Sequence, residues 1–143
     1  MKLPAKIEYA YKAVLELSLR YRGDNPIQIH VISTAQKIPR KFLTQLLLRL
    51  KNAGIVYSLR GASGGYVLAR PPARITLADV FSAIDGNMLD MFEEAKVTKT
   101  TDSGKLLRVL WNDINKEISK RLKNITFEQL ISRVQGQQIT YQI

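Results

Sequence analysis

PRKFLTQLLLRLKNAGIVYSLRGASGGYVLAR, residues 39–70, decides the fold, because a helix pattern gives way within it to a strand pattern. Pro39 suits the first turn of a helix, where its missing N–H costs nothing. From there Phe42, Leu43, Leu46, Leu47 and Leu50 recur on one face, while Arg40, Lys41, Thr44 and Gln45 gather at the N-terminal end and point elsewhere. The helix is expected to run to about Asn52 and to stop at Gly54, since glycine accepts the left-handed conformation that closes a helix. Residues 55–60 and 66–70 are rich in Ile, Val, Tyr and Leu, and Gly61-Ala62-Ser63-Gly64-Gly65 joins them as a β-hairpin.

Upstream, Ile7, Ala10, Ala13, Val14 and Leu17 at helical spacing mark an amphipathic helix over residues 5–21, ending near Gly23. Asp24-Asn25-Pro26 punctuates a turn, and Ile27 and Ile29 form either a short strand or an extended entry. A second, short helix follows from about His30 to Lys37 with Ile32 and Ala35 inward. It cannot run longer, because the residue before Pro39 is disfavoured in helical geometry. A short helix, a turn of about three residues and a longer helix with a basic N-terminal end make a helix-turn-helix over about residues 30–53. An ordinary helical hairpin is the alternative, and the hairpin at 55–70 tips the balance: helix-turn-helix followed directly by a β-hairpin is a winged helix. The expected fold is mainly α with this one small hairpin.

In a helix-turn-helix the second helix enters the DNA major groove with its first residues on the base edges. Arg40, Lys41, Thr44 and Gln45 are placed for that role, Gln45 on an adenine edge. On the wing, Gly61, Gly64 and Gly65 would let the backbone approach phosphates, and Arg60 would reach into the minor groove. Arg49, Lys51, Ser63 and Tyr66 complete the candidate DNA-binding set, Lys51 as a phosphate contact. The charge agrees. The formal net charge is +10, and between Asp24 and Asp79 stand eight basic residues and no acid, whereas from Asn87 onward nine basic residues face seven acidic ones. A basic block within a folded segment is the footprint of a polyanion, since each neutralised phosphate releases condensed counterions.

Other chemistries find no residues. With no cysteine, disulfides, zinc knuckles and cysteine-held clusters are excluded, and the single histidine, His30, cannot build a transition-metal site, so neither metal nor cofactor is expected. No nucleophile stands beside it and no carboxylate pair is evident, so an enzyme is not expected. A nucleotide loop fails because Gly65 is followed by Tyr66 and a strand, not by Lys and a helix. An RNA-binding or ribosome-associated adaptor would use a similar basic face, but it lacks an RNP-like set of stacking aromatics; Tyr57 and Tyr66 are equally explained as wing packing. The apolar runs fall far short of the roughly 20 residues that span a bilayer. Lys6, Glu8, Lys12 and Glu16 interrupt the N-terminal apolar pattern, so a cytoplasmic protein with no membrane partner is expected.

After Pro71-Pro72, residues 77–85 read as a helix with Thr76 as N-cap, Asp79 in the capping-box position and Gly86 at the end. These complete a DNA-binding domain at 1–86. Residues 87–102 lose all periodicity and are expected to form a mobile loop. From about Ser103 a long helix carries Leu107, Trp111, Ile114, Ile118 and Leu122, with Leu106 and Leu110 widening the stripe and Glu117 and Arg121 able to pair outside it. Such a stripe either packs on its own subunit or forms a dimer interface; a two-fold dimer matches the palindromic sites that such readers bind. A capping box from Thr126 to Gln129 starts a short last helix, so 103–135 is read as a dimerisation helix plus that helix, and 136–143 as a tail.

The order ISTAQKIPRKFLTQLLLRLKNAGIVYSLRGASGGYVLARPPARITLADVFSAIDG resembles the winged-helix repressors of the Rrf-two type, which include the bacterial iron–sulfur cluster regulator and the cysteine-metabolism repressor. Residues 50–76 carry its most specific part, and the similarity extends through LWNDI and NIT near the C-terminus. The resemblance implies a homodimeric bacterial transcription factor whose long helix crosses the partner subunit. A repressor on a pseudo-palindromic operator is expected, switched by a protein corepressor, by a small-molecule effector or by abundance alone. In cluster-binding members three cysteines and a histidine hold the metal. Here Arg108 sits at the histidine position and Lys105 at the last cysteine, and the other two positions fall near Glu93 and Lys99. The chain is therefore similar to the cluster-free branch, whose known type answers to sulfur status.

Overall fold

Ile7, Ala10, Ala13, Val14 and Leu17 are all buried along α1 (Ala5–Leu19), and this helix is the hub of the molecule. A computed structural model describes residues 2–86 and 101–142, with side chains as far as Gly136. Around α1 pack α2 (Ile29–Gln36), α3 (Arg40–Asn52), α4 (Leu77–Asp85) and α6 (Phe127–Gln142). Glu16 of α1 is a buried carboxylate and so needs partners. Arg20 Nε donates to it at 2.7 Å and Gln36 Nε2 at 2.9 Å, which fastens the end of α2 to α1.

The helix-turn-helix closes as its sequence foretells, with two differences. Ile32 is buried but Ala35 is exposed, because the chain reverses so sharply at Lys37, φ 55°, that Ile38 fills the inward place instead. Ser33 Oγ donates to the Ile38 carbonyl at 2.6 Å and fixes that reversal. Along α3, Leu43, Leu46, Leu47 and Leu50 enter the core, whereas Phe42 at the edge of the stripe is half exposed and stacks on Tyr9 with ring centroids 6.3 Å apart. The helix ends in two reverse hydrogen bonds, Ile55 N–H to the Leu50 carbonyl and Gly54 N–H to that of Lys51, and Gly54 takes φ 76° as the motif demands.

β1 (Val56–Leu59) and β2 (Gly65–Leu68) pair antiparallel, with Val56 opposite Leu68 and Leu59 opposite Gly65. Ile27 adds a third rung beside β2, exchanging both backbone hydrogen bonds with Tyr66 at 2.9 and 2.8 Å, so Ile27 is extended while Ile29 already begins α2.

α4 has the bounds and the reciprocal Thr76–Asp79 capping box expected of it, a cap worth about 1 kcal/mol. The Thr126–Gln129 box starts α6 in the same way. Backbone bonds from Leu77 to Ile125 and from Phe127 to Ile75 tie the two helix starts together, and Phe127 is fully buried in the same core as α1. Between them in sequence runs α5 (Asp102–Lys123), whose N-cap Thr101 accepts from the Gly104 N–H. Residues 87–100 of the expected loop, Glu93 and Lys99 among them, lie outside the described residues. α6 continues to Gln142, beyond the short helix expected: no proline stops it, and Gly136 costs only about 1 kcal/mol relative to alanine. Glu117 and Arg121 do not come within ion-pair distance; so exposed a pair contributes little.

Candidate nucleic-acid interface

Burying the leucine stripe of α3 turns its other side outward, and Arg40, Lys41, Thr44 and Gln45 are exposed there on the first two turns. Pro39, the N-cap, makes no side-chain cap hydrogen bond; its carbonyl takes the Phe42 and Leu43 N–H groups, which leaves those of Arg40 and Lys41 to face an anion. The wing tip supplies exposed Arg60, Gly61, Ala62 and Ser63. Among the described residues none of Arg40, Lys41 or Arg60 enters an ion pair, so their charge faces solvent.

The remaining candidates have structural partners as well. Arg49 donates from Nη1 to the Ile84 carbonyl at 2.8 Å, bracing the recognition helix against the last turn of α4. Lys51 Nζ lies 2.9 Å from Ser58 Oγ and joins α3 to β1 while its side chain stays exposed. Thr44 spends its hydroxyl on the Arg40 carbonyl of its own helix, leaving its methyl as what it offers outward. Gly64 is buried and Gly65 and Tyr66 are half-buried. A Cβ at Gly64 would collide with the Leu59 carbonyl oxygen, and one at Gly65, where φ is 150°, would stand 2.5 Å from the Ile27 carbonyl oxygen. These two glycines thus seat the wing on its own neighbours, and Gly61 is the glycine at the exposed tip.

Three anchors hold the wing, of which the sequence offered only the extended backbone at Ile27. Ile27 extends its sheet, Gln28 Nε2 donates to the Ala62 carbonyl at 3.2 Å, and the Tyr57 hydroxyl donates to Asp24 at 2.8 Å. The wing segment itself carries no acid, but Asp24 is folded against it, and this hydrogen bond holds the Tyr57 phenol above its ordinary value. At the far end Arg70 is occupied, paired with Asp79 at 3.1 Å and donating to the Arg74 carbonyl, so the two arginines of the hairpin differ in role. Sequence reasoning also passes over Leu48. It is 57% exposed on the outward side of α3, one turn from Thr44 and Gln45, where an inward-only reading of apolar residues hides it.

The stripe of α5 divides. Leu107, Trp111 and Ile114 are exposed, with Leu106, Val109 and Leu110 beside them, while Ile118 and Leu122 are half-buried against the core of their own subunit. Among the described residues no helix is long and apolar enough to cross a membrane.

A helix-turn-helix whose basic face is flanked by an anchored β-hairpin defines a winged-helix DNA-binding regulator. The chain belongs to the Rrf2 family: residues 3–133 match the model described as "Iron-dependent Transcriptional regulator". It is 32% identical to the HTH-type transcriptional regulator CymR of Bacillus subtilis, over 99% of this chain and 97% of that protein. It is 34% identical to the regulator IscR of Xenorhabdus nematophila, over 92% of this chain and 79% of that one. The solved structure of B. subtilis CymR, "the Global Cysteine Regulator", superposes with a TM-score of 0.76 at 31% identity, covering 93% of this chain and 98% of that one. T. potens IscR gives 0.77 at 28% identity, over 94% and 88%.

The family description raises the question of iron. Cluster ligation takes cysteine thiolates, and this sequence has none. His30 stands alone and exposed on α2, and Lys105 and Arg108 occupy α5 as cations. Among the described residues no three His, Cys, Asp or Glu side chains gather as a metal would need. The donor set does not fit a thiolate-held cluster.

Proposed function

We propose that the chain acts as a homodimeric transcriptional repressor that carries no iron–sulfur cluster and holds two reading heads against a pseudo-palindromic operator. The observation that carries this reading is that Arg40 and Lys41 at the start of α3 and Arg60 at the tip of the wing are exposed and enter no ion pair among the described residues. Arg40, Lys41 and Gln45 meet base edges in the major groove, Arg60 enters the minor groove, and Lys51 meets the phosphate backbone. The second head comes from a second copy joined through the exposed half of the α5 stripe, Leu107, Trp111 and Ile114 at its centre. Half-sites then stand about one helical turn, roughly 34 Å, apart. Repression follows from occupying promoter DNA that RNA polymerase needs.

The likeness to a global cysteine regulator supports a link to cysteine or sulfur metabolism, with a protein corepressor or a small-molecule effector adjusting occupancy. The experiment is selection of bound duplexes from fragments of the source genome, followed by sequencing. Inverted repeats near genes of sulfur metabolism are expected. If structured RNA of equal length competes as well as duplex DNA at matched salt, an RNA-binding adaptor takes this reading's place.

A further inference from the structure

We propose that Leu48 reads the 5-methyl group of a thymine in the major groove, and so sets which base this protein prefers at one position of each half-site. The inference rests on the DNA-reading role of α3 and assigns a specificity residue within it. Leu48 is 57% exposed, although the four other leucines of α3 are buried. It stands four residues after Thr44, three after Gln45 and seven after Lys41, so the four side chains share one face. It has no place in the hydrophobic core, and no other apolar side chain of α3 lies on that face, since Phe42 leans on Tyr9.

The surroundings select the ligand atom. Thr44 turns its hydroxyl back to the Arg40 carbonyl at 2.9 Å, so Thr44 and Leu48 together offer a methyl-rich strip beside the Gln45 amide. In the major groove the apolar feature of a base edge is the thymine methyl, and Gln suits the adenine edge with its N6 donor and N7 acceptor. An apolar strip beside a glutamine therefore fits consecutive A·T pairs read from both edges. Cytosine at the same place would present an amino donor to a side chain that can accept nothing.

The test runs on whichever duplexes the wild-type chain selects. Each is resynthesised with every thymine in turn replaced by deoxyuridine, which keeps pairing and removes only the methyl. Wild type should lose about fourfold in affinity at one thymine per half-site, and about fifteenfold when both half-sites are changed. Leu48→Ala, which removes nothing from the core and should melt like wild type, should bind the thymine and deoxyuridine duplexes alike. Leu48→Met should keep the preference, and Lys41→Ala should keep it at lower affinity. Equal binding of wild type to every deoxyuridine duplex, or an unchanged thymine preference in Leu48→Ala, would overturn the assignment. Failure to select any duplex would instead remove the DNA-reading role and this inference with it, a result that no thymine substitution can mimic.

Discussion

α3 and α5 are both amphipathic helices, yet they are wetted in opposite senses. In α3 the leucine stripe is buried at home and the polar face looks out; in α5 the first half of the stripe looks out, with Leu107 at 65% exposure and Leu106 at 61%. Contiguous exposed apolar surface on a folded chain marks an interaction site. The apolar stripe of α3 is thus covered within one subunit, whereas the first half of the α5 stripe is left uncovered by the described residues. Its second half, with Ile118 and Leu122 against the core, anchors the helix on its own subunit.

Damage should be most severe inside α3. Leu47 is fully buried, so Leu47→Ala should cost about 2–5 kcal/mol of stability by denaturant unfolding at fixed protein concentration. The equivalent assault on α5 should act elsewhere: Leu107→Lys with Ile114→Lys should weaken self-association about 100-fold in sedimentation, with the helical circular dichroism of the chain retained. Next comes the reading head. Arg60→Ala should weaken operator binding about tenfold and lower the slope of log affinity against log salt by about one per head, without changing association.

The mildest change concerns the packing of α1 on α4. The Tyr11 hydroxyl donates to the Leu77 carbonyl at 3.0 Å, and burial pushes its pKa from 10.0 up to about 12. The folded value lies above the unfolded one, so the contribution is whole below pH 10 and drains away as pH climbs from about 10 toward 12. Tyr11→Phe should therefore show a flatter loss of stability across that window in thermal melts.

What could be read from the sequence was local. The proline and glycine that bound α3, the five-residue wing turn and the Thr76–Asp79 box each act over a few residues, and the structure repeats them nearly to the residue. What escaped depends on partners far along the chain. Arg49 meets a carbonyl 35 residues away, Tyr57 a carboxylate 33 residues away, and Gln28 a carbonyl 34 residues away. No periodicity encodes such pairings. The helical wheel also cannot tell an apolar residue at the edge of a stripe from one at its centre, which is why periodicity alone turns Phe42 inward. The left-handed Lys37 is a related case: no turn residue signals it, and the packing of Ile38 imposes it.

The proposed joining of two reading heads through α5 is open to test by the stoichiometry of the complex with a selected duplex. Sedimentation of wild type on a single-operator duplex should show two chains per duplex, and the Leu107→Lys, Ile114→Lys variant should show at most one at the same concentration. One chain per duplex for wild type, with no loss of affinity in the α5 variant, would contradict it.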